Sequence, residues 1–403
     1  DTGAVILTSF LSTIPVYLFF ATGFYLRHKQ VIQADHDAPI MRIAMDVAYP
    51  CLVFHSIMKY MVLSGNETLS SVSFSLQAIA AGALELLLGI AAAWLVAKLL
   101  RMRIGTGLRT FTLTAGVQNY AFFVIPIIQM LFTAGNDPTL GVLFVHNVGC
   151  ELVVWSIGVI IIAGGPGNLN MGVFFRGPLL AVIVGLALAW SGLGTYVAQP
   201  PLMKTFEMIG NCATPLCLIL FGCSMRDLWH NMKWEPKPII CGLLTRLGLA
   251  PALLLLMAYF LPVDDYIKRV IIIQAAIPSA VIPVILAKRF GGHPDLGTQI
   301  LLTTTVASFL TLPCWLALGS TLVVPFINGI MANQSPDDLE QPARPTSSAF
   351  PEEILFPVSR PLMEIKPVRR IRRRNNFPAE ISASFPHPFR ILSASFPHPF
   401  RIL

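Results

Sequence analysis

Charged residues are scarce in this sequence: Asp, Glu, Lys and Arg make up 12% of its 403 residues, against roughly 25% in a soluble domain. Hydrophobic residues make up 55% of the chain. Because this number of charges is too small to cover a water-exposed surface, the composition excludes an ordinary soluble protein and indicates an integral membrane protein. The net charge of +7 does not indicate nucleic-acid binding, because the basic residues lie in short loops and in one cluster at 369–374.

Catalytic and metal-binding motifs are also missing. The chain has no G-x-S-x-G, no H-E-x-x-H and no glycine-rich phosphate loop, so we predict that it is neither an enzyme nor an ATP-driven pump. Its seven cysteines have no metal-ligand spacing, which predicts free thiols and no metal or other cofactor. Asp46 has no second mid-membrane Asp, which an aspartic intramembrane protease would require.

Apolar runs long enough to cross a bilayer, about 20 residues each, recur along the chain. We predict an all-α integral membrane protein with about ten transmembrane helices, of which the fourth and the ninth are broken. The first run, Val5–Leu26, has no small-residue cleavage site behind it, so we expect a retained helix rather than a signal peptide. The predicted spans are 5–27, 40–62, 73–99, 108–133, 139–163, 173–192, 206–225, 237–261, 267–289 and 298–327.

The ten spans divide into two sets of five, in residues 1–163 and 173–330, joined by a short linker at 164–172. Because five is odd, a repeated unit must enter the membrane in the opposite orientation the second time, which predicts inverted-topology repeats. A compact turn follows each broken span, at Asn136–Gly141 in the first half and at His293–Gly297 in the second.

Lys and Arg are concentrated in the loops of one side, which we therefore predict to be cytoplasmic, with both ends of the ten-helix unit on the other side of the cell membrane. The richer side carries Arg27, Lys29, Arg42, Lys98, Arg101, Arg103, Arg109, Arg176, Arg226, Lys233, Lys237, Lys288 and Arg289, and the poorer side carries Lys59, Lys204, Lys268 and Arg269.

The character of the chain changes near residue 331, where proline-rich and charged sequence replaces the apolar runs. The last 22 residues are SASFPHPFRIL written twice. We predict that residues 331–403 form a tail that is disordered, or artificial or misread in origin, and that they take no part in the fold.

Prolines interrupt two of the predicted spans. Pro278 and Pro283 lie within the apolar run that begins near Val270, and Pro126 follows Asn119 by about two helical turns. An interior proline costs a helix about 3 kcal/mol. In a membrane, such a break survives only where the freed backbone faces protein or a water-filled cavity. Two broken spans at corresponding places in two halves predict a transporter's binding site.

Several segments around these breaks resemble the auxin efflux carrier family, which includes the plant PIN carriers and bacterial relatives. The resemblance covers roughly residues 5–325. The similar segments are Asn119–Pro126 at the first crossover, Pro278–Pro283, Leu286–Phe290 and His293–Leu296 at the second, Pro50–His55 in the second helix, and Leu312–Pro313 in the closing helix.

The resemblance implies a scaffold of helices one, two, six and seven, and a transport domain of helices three to five and eight to ten that moves as an elevator. It implies a secondary carrier of small organic anions, such as auxin-like or dicarboxylic acids, and a homodimer formed through the scaffold. Two alternatives share the fold: a membrane sensor that binds a ligand without transporting it, and a sodium-coupled symporter of the bile-acid type.

Helix ends freed at the breaks offer backbone N–H groups and a partial positive charge, which attract an anion without a buried Lys or Arg. We therefore predict that a small organic anion binds where the two breaks meet. Asn119 either contacts the ligand or caps the broken backbone. Tyr120 either packs against its neighbours or contacts the ligand, and Ser279 either binds the ligand through its hydroxyl or caps the helix end. The predicted substrate-binding residues are Gln118, Asn119, Tyr120, Pro126, Pro278, Ser279, Ala280, Ile282, Pro283, Cys51 and His55.

Ionisable residues inside predicted spans are functional candidates, since burying them in a membrane is costly. His146 and Glu151 lie five residues apart on nearly one helix face, so they either bind a coupling proton or sodium ion or form a satisfied buried pair. Asp46 is expected near the cytoplasmic end of its helix. A pairing of Glu85 with Arg246 is conceivable, but no spacing argument supports it.

Overall fold

The computed structural model describes residues 2–64, 66–132, 137–165, 177–229 and 236–326. Within these ranges all regular structure is helical, apart from one isolated β-bridge between Gln118 and Ser279. Most of the predicted linker at 164–172 and all of the predicted tail at 331–403 lie outside the described residues, as do Arg176 and Lys233.

Seven helices in this part of the chain are long and apolar enough to cross a membrane, which confirms the prediction of an all-α multi-pass membrane protein. They are α1, α2, α3, α6, α8, α9 and α12. In chain order the helices of eight residues or more are α1 (Thr2–His28), α2 (Ala34–Val62), α3 (Val72–Leu99), α4 (Leu108–Gly116), α5 (Val124–Leu131), α6 (Thr139–Ala163), α7 (Gly177–Ser191), α8 (Pro200–Asp227), α9 (Pro236–Phe260), α10 (Asp265–Ala276), α11 (Ile282–Phe290) and α12 (Pro294–Leu322).

Four of the remaining helices are short and form two pairs. The pair α4 and α5 falls within the first predicted broken span, and the pair α10 and α11 falls across the second. The helix α7 is apolar but has only 15 residues. Ten spans arranged as inverted repeats therefore stay a prediction.

The helices α1 and α8 pack closely against each other at two glycines. A Cβ atom on Gly23 would lie 2.0 Å from the carbonyl oxygen of Ile219, and one on Gly222 would lie 2.2 Å from that of Phe20. Any side chain at either position would collide with the backbone of the other helix. Such small-residue contacts are typical of membrane helices, whose backbones must approach closely to gain packing energy in lipid.

A second pair of close crossings fastens α3 to α6. A Cβ atom on Gly82 would lie 2.1 Å from the carbonyl oxygen of His146, and one on Gly149 would lie 1.9 Å from that of Ile79. The side chains near this crossing are buried between the two helices and take their positions from it. The crossing therefore brings Glu85, on α3, beside the histidine of α6.

The helix contacts define two packed groups. In the small group, α1 packs on α8, and α2 packs on α7 and α8; in the large group, α3, α4, α6, α9, α10, α11 and α12 pack on one another. The helix α5 contacts α1 as well as α6 and α10. The groups meet where α1 lies against α12 and where α2 and α7 lie against α6. At the first of these contacts the hydroxyl of Tyr17 is 2.9 Å from that of Ser308.

A buried arginine joins three parts of the small group. Arg27, at the end of α1, lies 3.0 Å from a carboxylate oxygen of Asp227 and 2.5 Å from one of Asp37, and it donates to the carbonyl oxygen of Ile32. Asp46, by contrast, is exposed on α2 and has no ion pair with any described residue.

Candidate functional site

The two interruptions lie side by side as short stretches of extended chain. The N–H of Asn119 donates to the carbonyl oxygen of Pro278 at 2.9 Å, and the N–H of Ala280 donates to that of Val117 at 3.0 Å. Each interruption thus satisfies backbone groups that a continuous helix would have satisfied internally. This pairing allows non-helical backbone to lie among membrane helices, where an unpaired N–H or C=O would be costly.

Prolines explain where the second interruption begins and ends. Pro278 has no N–H and disfavours helical backbone at Ile277, which is extended with φ −76° and ψ 142°. Pro283 is the second residue of α11, where the missing N–H has no intrahelical role. In the first interruption Pro126 is the third residue of α5 and plays the same part.

A cleft of about 220 Å³ lies between the interruptions, which we call the first cleft. It is formed by the residues that directly precede α5 and α11, so the N-terminal ends of both helices point towards it. The lining residues are Asn119, Tyr120, Ala121, Phe122, Ala280, Val281 and Ile282. None of them is charged, so the polar character of the cleft comes from backbone N–H groups and from Asn119.

Asn119 caps the first interruption through its side-chain oxygen, which accepts a hydrogen bond from the N–H of Phe122 at 3.2 Å. Its amide nitrogen has no acceptor among the described residues, although the side chain is 4% exposed and lines the first cleft. The capping role and a ligand-binding role are therefore compatible, because they use different atoms of one amide group.

A second cleft of about 180 Å³ lies beside the first, against the small group. Phe122 lines both clefts. The other lining residues are Tyr49, Ile125, Ala213, Thr214 and Cys217, which come from α2, α5 and α8. Sequence reasoning missed these residues, since nothing distinguishes them from other membrane-span residues until packing brings the helices together.

Behind the interruptions lies a set of buried polar side chains that we call the buried network: Glu85, Gln118, His146, Asn147 and Gln274, with Arg246. The amide nitrogen of Gln118 donates to Glu85 Oε1 at 2.8 Å and to Gln274 Oε1 at 3.2 Å. Nε2 of His146 lies 3.1 Å from Glu85 Oε2. Gln118 therefore points into the protein and not into the cleft.

Amide side chains continue the network to the backbone of the first interruption. Gln274 Nε2 donates to Asn147 Oδ1 at 2.8 Å, and Asn147 Nδ2 donates to the carbonyl oxygen of Tyr120 at 2.8 Å. Gln274 was not identified as a candidate from the sequence, although its position in the chain was informative. It is the one polar residue in the run Val270–Ile277 and lies one helical turn before Pro278.

Arg246 caps the broken end of α10. Its guanidinium donates to the carbonyl oxygens of Ala275 at 2.9 Å, Ile277 at 3.0 Å and Gln274 at 3.4 Å. These carbonyls lie at the negative end of a helix dipole, where the break removes the N–H groups of a following turn; the carbonyl of Gln274 also accepts from the N–H of Ile277 at 3.2 Å. Backbone acceptors thereby match a fully buried positive charge. The conceivable pairing of Glu85 with Arg246 is not formed among the described residues, where the ion-pair partner of Glu85 is His146.

The other predicted binding residues divide between lining and support. Ala280 and Ile282 line the first cleft; Tyr120 also touches it, but its ring is buried among apolar side chains of α3, α4 and α6. The N–H of Ser279 donates to Thr304 Oγ1 at 3.3 Å, and its buried hydroxyl has no partner among the described residues.

Three predicted residues lie apart from the clefts or from their expected partner. Cys51 and His55 are half-buried on α2 and line neither cleft; His55 Nδ1 is 3.2 Å from the carbonyl oxygen of Met203 on α8. The carboxylate of Glu151 accepts from Trp155 Nε1, one turn along α6. The structure thus brings His146 to Glu85 rather than to Glu151, and ion coupling by these residues stays a prediction.

A bundle of membrane-crossing helices with an uncharged cleft between two interrupted helices is typical of membrane transporters. The family model described as "Membrane transport protein" matches residues 8–172 and 168–316, and the chain belongs to this family, which includes the auxin efflux carriers. This membership confirms the resemblance to the auxin efflux carrier family that the sequence indicated. It also confirms that the protein is not an enzyme, since the family consists of transporters.

The chain is similar to named relatives over very different lengths. An "Uncharacterized transporter" of the archaeon Methanothermobacter thermautotrophicus is 26% identical over 310 residues, which cover 75% of this chain and 96% of that protein. Auxin efflux carrier component 1 of Arabidopsis thaliana is 31% identical over 106 residues, or 24% of this chain and 17% of the carrier. For component 8 the identity is 31% over 116 residues, or 27% of this chain and 32% of the carrier.

Proposed function

We propose that this transporter carries small organic anions and that they bind in the first cleft. The observation that carries the proposal is the position of this cleft at the N-terminal ends of α5 and α11. Each end contributes about half a positive charge through N–H groups that lack intrahelical partners. Two such ends bind a carboxylate, and the amide nitrogen of Asn119 supplies a further donor.

The absence of a cationic side chain from the cleft lining suits a carrier, which must release its cargo. A buried Lys or Arg would carry a large desolvation cost whenever the anion leaves. Helix ends are partial charges of fixed backbone atoms, so the empty cleft has no uncompensated ion. Reversible binding of an anion is therefore compatible with the neutral lining.

The walls of the cleft favour a small acid with an apolar body. Ala121, Phe122, Val281 and Ile282 supply apolar surface beside the helix ends. Auxin-like monocarboxylates and short dicarboxylates are the classes we propose, and the first of these is in line with the names of the plant relatives.

Transport in this proposal follows an elevator mechanism. The pairs α4–α5 and α10–α11 are the fourth and ninth spans of a ten-span inverted repeat, and the large group moves as one body past the small group. The small group forms the scaffold and the homodimer contact in the cell membrane, with both ends of the ten-helix unit outside. The glycine crossings support separate rigid bodies, because they fasten helices within each group.

The substitution Asn119→Ala tests the binding site. We expect it to weaken binding of indole-3-acetate, benzoate or succinate by about 10- to 100-fold, since a hydrogen bond to a charged group contributes roughly 1.5–3 kcal/mol. Binding is measured by the ligand-dependent rise in melting temperature, which follows mass action. A panel of mono- and dicarboxylates on the unaltered protein identifies the cargo class first.

Asn211→Ala is the matched control, because Asn211 is exposed on α8 and lines neither cleft. Unchanged affinity in Asn119→Ala, in protein that remains monodisperse, would contradict the site assignment. Saturable flux of the bound acid into proteoliposomes supports a carrier. Binding without flux would instead indicate a sensor with the same fold.

A further inference from the structure

The buried network holds the backbone on both sides of Asn119. The side chain of the preceding residue, Gln118, is bound to Glu85 and Gln274, and the carbonyl of the following residue, Tyr120, is bound to Asn147. Successive side chains of an extended strand point to opposite faces. Asn119 therefore lines the first cleft while Gln118 enters the network, and one peptide unit separates the two sites.

The charges of the network balance only while the cleft is empty. With His146 neutral, the negative Glu85 and the positive Arg246 sum to zero in a region where all three side chains are fully buried. An anion in the first cleft adds a negative charge beside this region, which the partial charges of the two helix ends offset only in part. One proton on His146 would restore neutrality, and buried charges at short range interact far more strongly than charges in water.

The geometry also shows what such a proton would move. Nε2 of His146 faces Glu85, so the free position is Nδ1, which lies 3.4 Å from the amide nitrogen of Gln274 and 4.0 Å from the sulfur of Cys150. A proton on Nδ1 would oppose the N–H of Gln274 and require that amide to turn. Turning it breaks its bonds to Asn147 and to Gln118, which are the two groups that hold the interruption.

We propose that His146, paired with Glu85, takes up one proton from solvent for each organic anion bound in the first cleft, so that the carrier moves the anion together with the proton. The proposal rests on the proposed function and names its coupling ion. No bond other than N–H is made or broken: the proton enters at Nδ1 of the imidazole and leaves from there when the anion is released.

The other titratable or charged groups around His146 do not replace it. Arg246, from α9, is committed to the carbonyls at the end of α10; Cys150 is a neutral thiol on α6; and Tyr120 packs from the first interruption. Glu151, one turn along α6, is bonded to Trp155. A sodium ion would need several oxygen ligands, whereas the carboxylate oxygens of Glu85 already face Gln118 and His146.

Isothermal titration calorimetry on the detergent-purified full chain, with indole-3-acetate as the probe, counts the protons. The heat of binding is compared in phosphate and in Tris, whose ionisation enthalpies differ, at several values between pH 6 and 8. We expect proton uptake of up to one per anion, with an affinity that rises up to tenfold for each unit by which the pH falls, because linkage is reciprocal. Choline in place of sodium should change neither quantity.

Two variants separate coupling from structural support. His146→Gln should bind the probe with no proton uptake and with an affinity independent of pH. Glu85→Gln should also bind the probe without proton uptake, and it should bind more tightly than the unaltered protein at pH 8, because it leaves the charge of Arg246 unbalanced. If Glu85 had only a structural role, the same substitution would weaken binding. The matched controls are His28→Gln and Glu207→Gln, which alter exposed or partly exposed residues outside the network.

The outcomes distinguish this inference from the function on which it rests. Binding without proton uptake in the unaltered protein, uptake that persists in His146→Gln, or binding that requires sodium would each overturn the coupling and leave the anion site intact. Failure of the unaltered protein to bind indole-3-acetate, benzoate or succinate overturns the proposed function and the coupling with it. Loss of folding in one network variant leaves the other to decide.

Discussion

Replacement of Arg246 by methionine tests whether the broken end of α10 is held by charge. The variant keeps an unbranched apolar side chain and removes the guanidinium from three backbone carbonyls, at 2.9, 3.0 and 3.4 Å. It also removes the positive charge of the buried network that contains Glu85, whose ion-pair partner is His146. Removal of one partner from a buried ionic network costs roughly 3–5 kcal/mol, and we expect Arg246→Met to lie in this range.

The cost can be measured as a shift in melting temperature. For a chain of this size we use about 2 °C per kcal/mol, so Arg246→Met should melt roughly 6–10 °C lower. The assay is thermal unfolding in detergent, followed by the fluorescence of the six tryptophans. The matched control is Arg289→Met at the end of α11, where the guanidinium lies 5.5 Å from the ring of Phe290, and it should shift the melting temperature by about 1 °C or less.

A second substitution separates the two parts of the cost. Adding Glu85→Gln to Arg246→Met removes the unbalanced charge but not the uncapped carbonyls, so the double variant should recover part of the lost stability. A melting temperature of Arg246→Met within 2 °C of the unaltered protein would refute the capping argument. Losses that simply add in the double variant would refute the charge balance, while the capping argument would stand.

Two further predictions concern movement and cargo size. A Cβ atom on Gly141 would lie 3.0 Å from that of Tyr60, so Gly141→Cys with Tyr60→Cys should form a disulfide between α6 and α2 that stops flux until it is reduced. The control pair is Gly185→Cys with Ile57→Cys, whose Cβ atoms would lie 3.3 Å apart within the small group. A disulfide there should leave flux unchanged. Full transport by the oxidised first pair would exclude sliding. Phe122→Ala should join the two clefts and raise the affinity for naphthalene-1-acetate relative to benzoate at least severalfold. An unchanged ratio of the two dissociation constants would show that the ring of Phe122 does not limit cargo size.

Local chemistry made the interruptions predictable. Proline acts on its own residue and on the one before it, so Pro278 places the end of α10 within two residues. The start of α8 was harder to predict. The sequence predicted that span at 206–225, yet the helix begins at Pro200, and Lys204 and Glu207 form an ion pair 2.9 Å apart on its surface.

The buried network was not predictable from spacing. Glu85 and His146 meet only because glycine crossings bring α3 against α6, and Gln118 joins them only because the first interruption is extended. These contacts depend on which faces of separate helices turn towards each other. The sequence pattern of His146 and Glu151 proposed a partner within one helix, whereas the histidine contacts a carboxylate 61 positions earlier in the chain.

The strand-like geometry of the first interruption has an evolutionary consequence. Asn119 and Gln118 are neighbours in the chain but lie on opposite faces, so the cleft wall and the network can change independently. Substitutions at Ala121, Phe122, Val281 or Ile282 alter what fits without touching the buried charges. Deletion of a single residue between Val117 and Asn119 would instead exchange the two faces and disable both sites at once. Relatives with different cargoes are therefore expected to vary in these four side chains while they keep the length of the interruption constant.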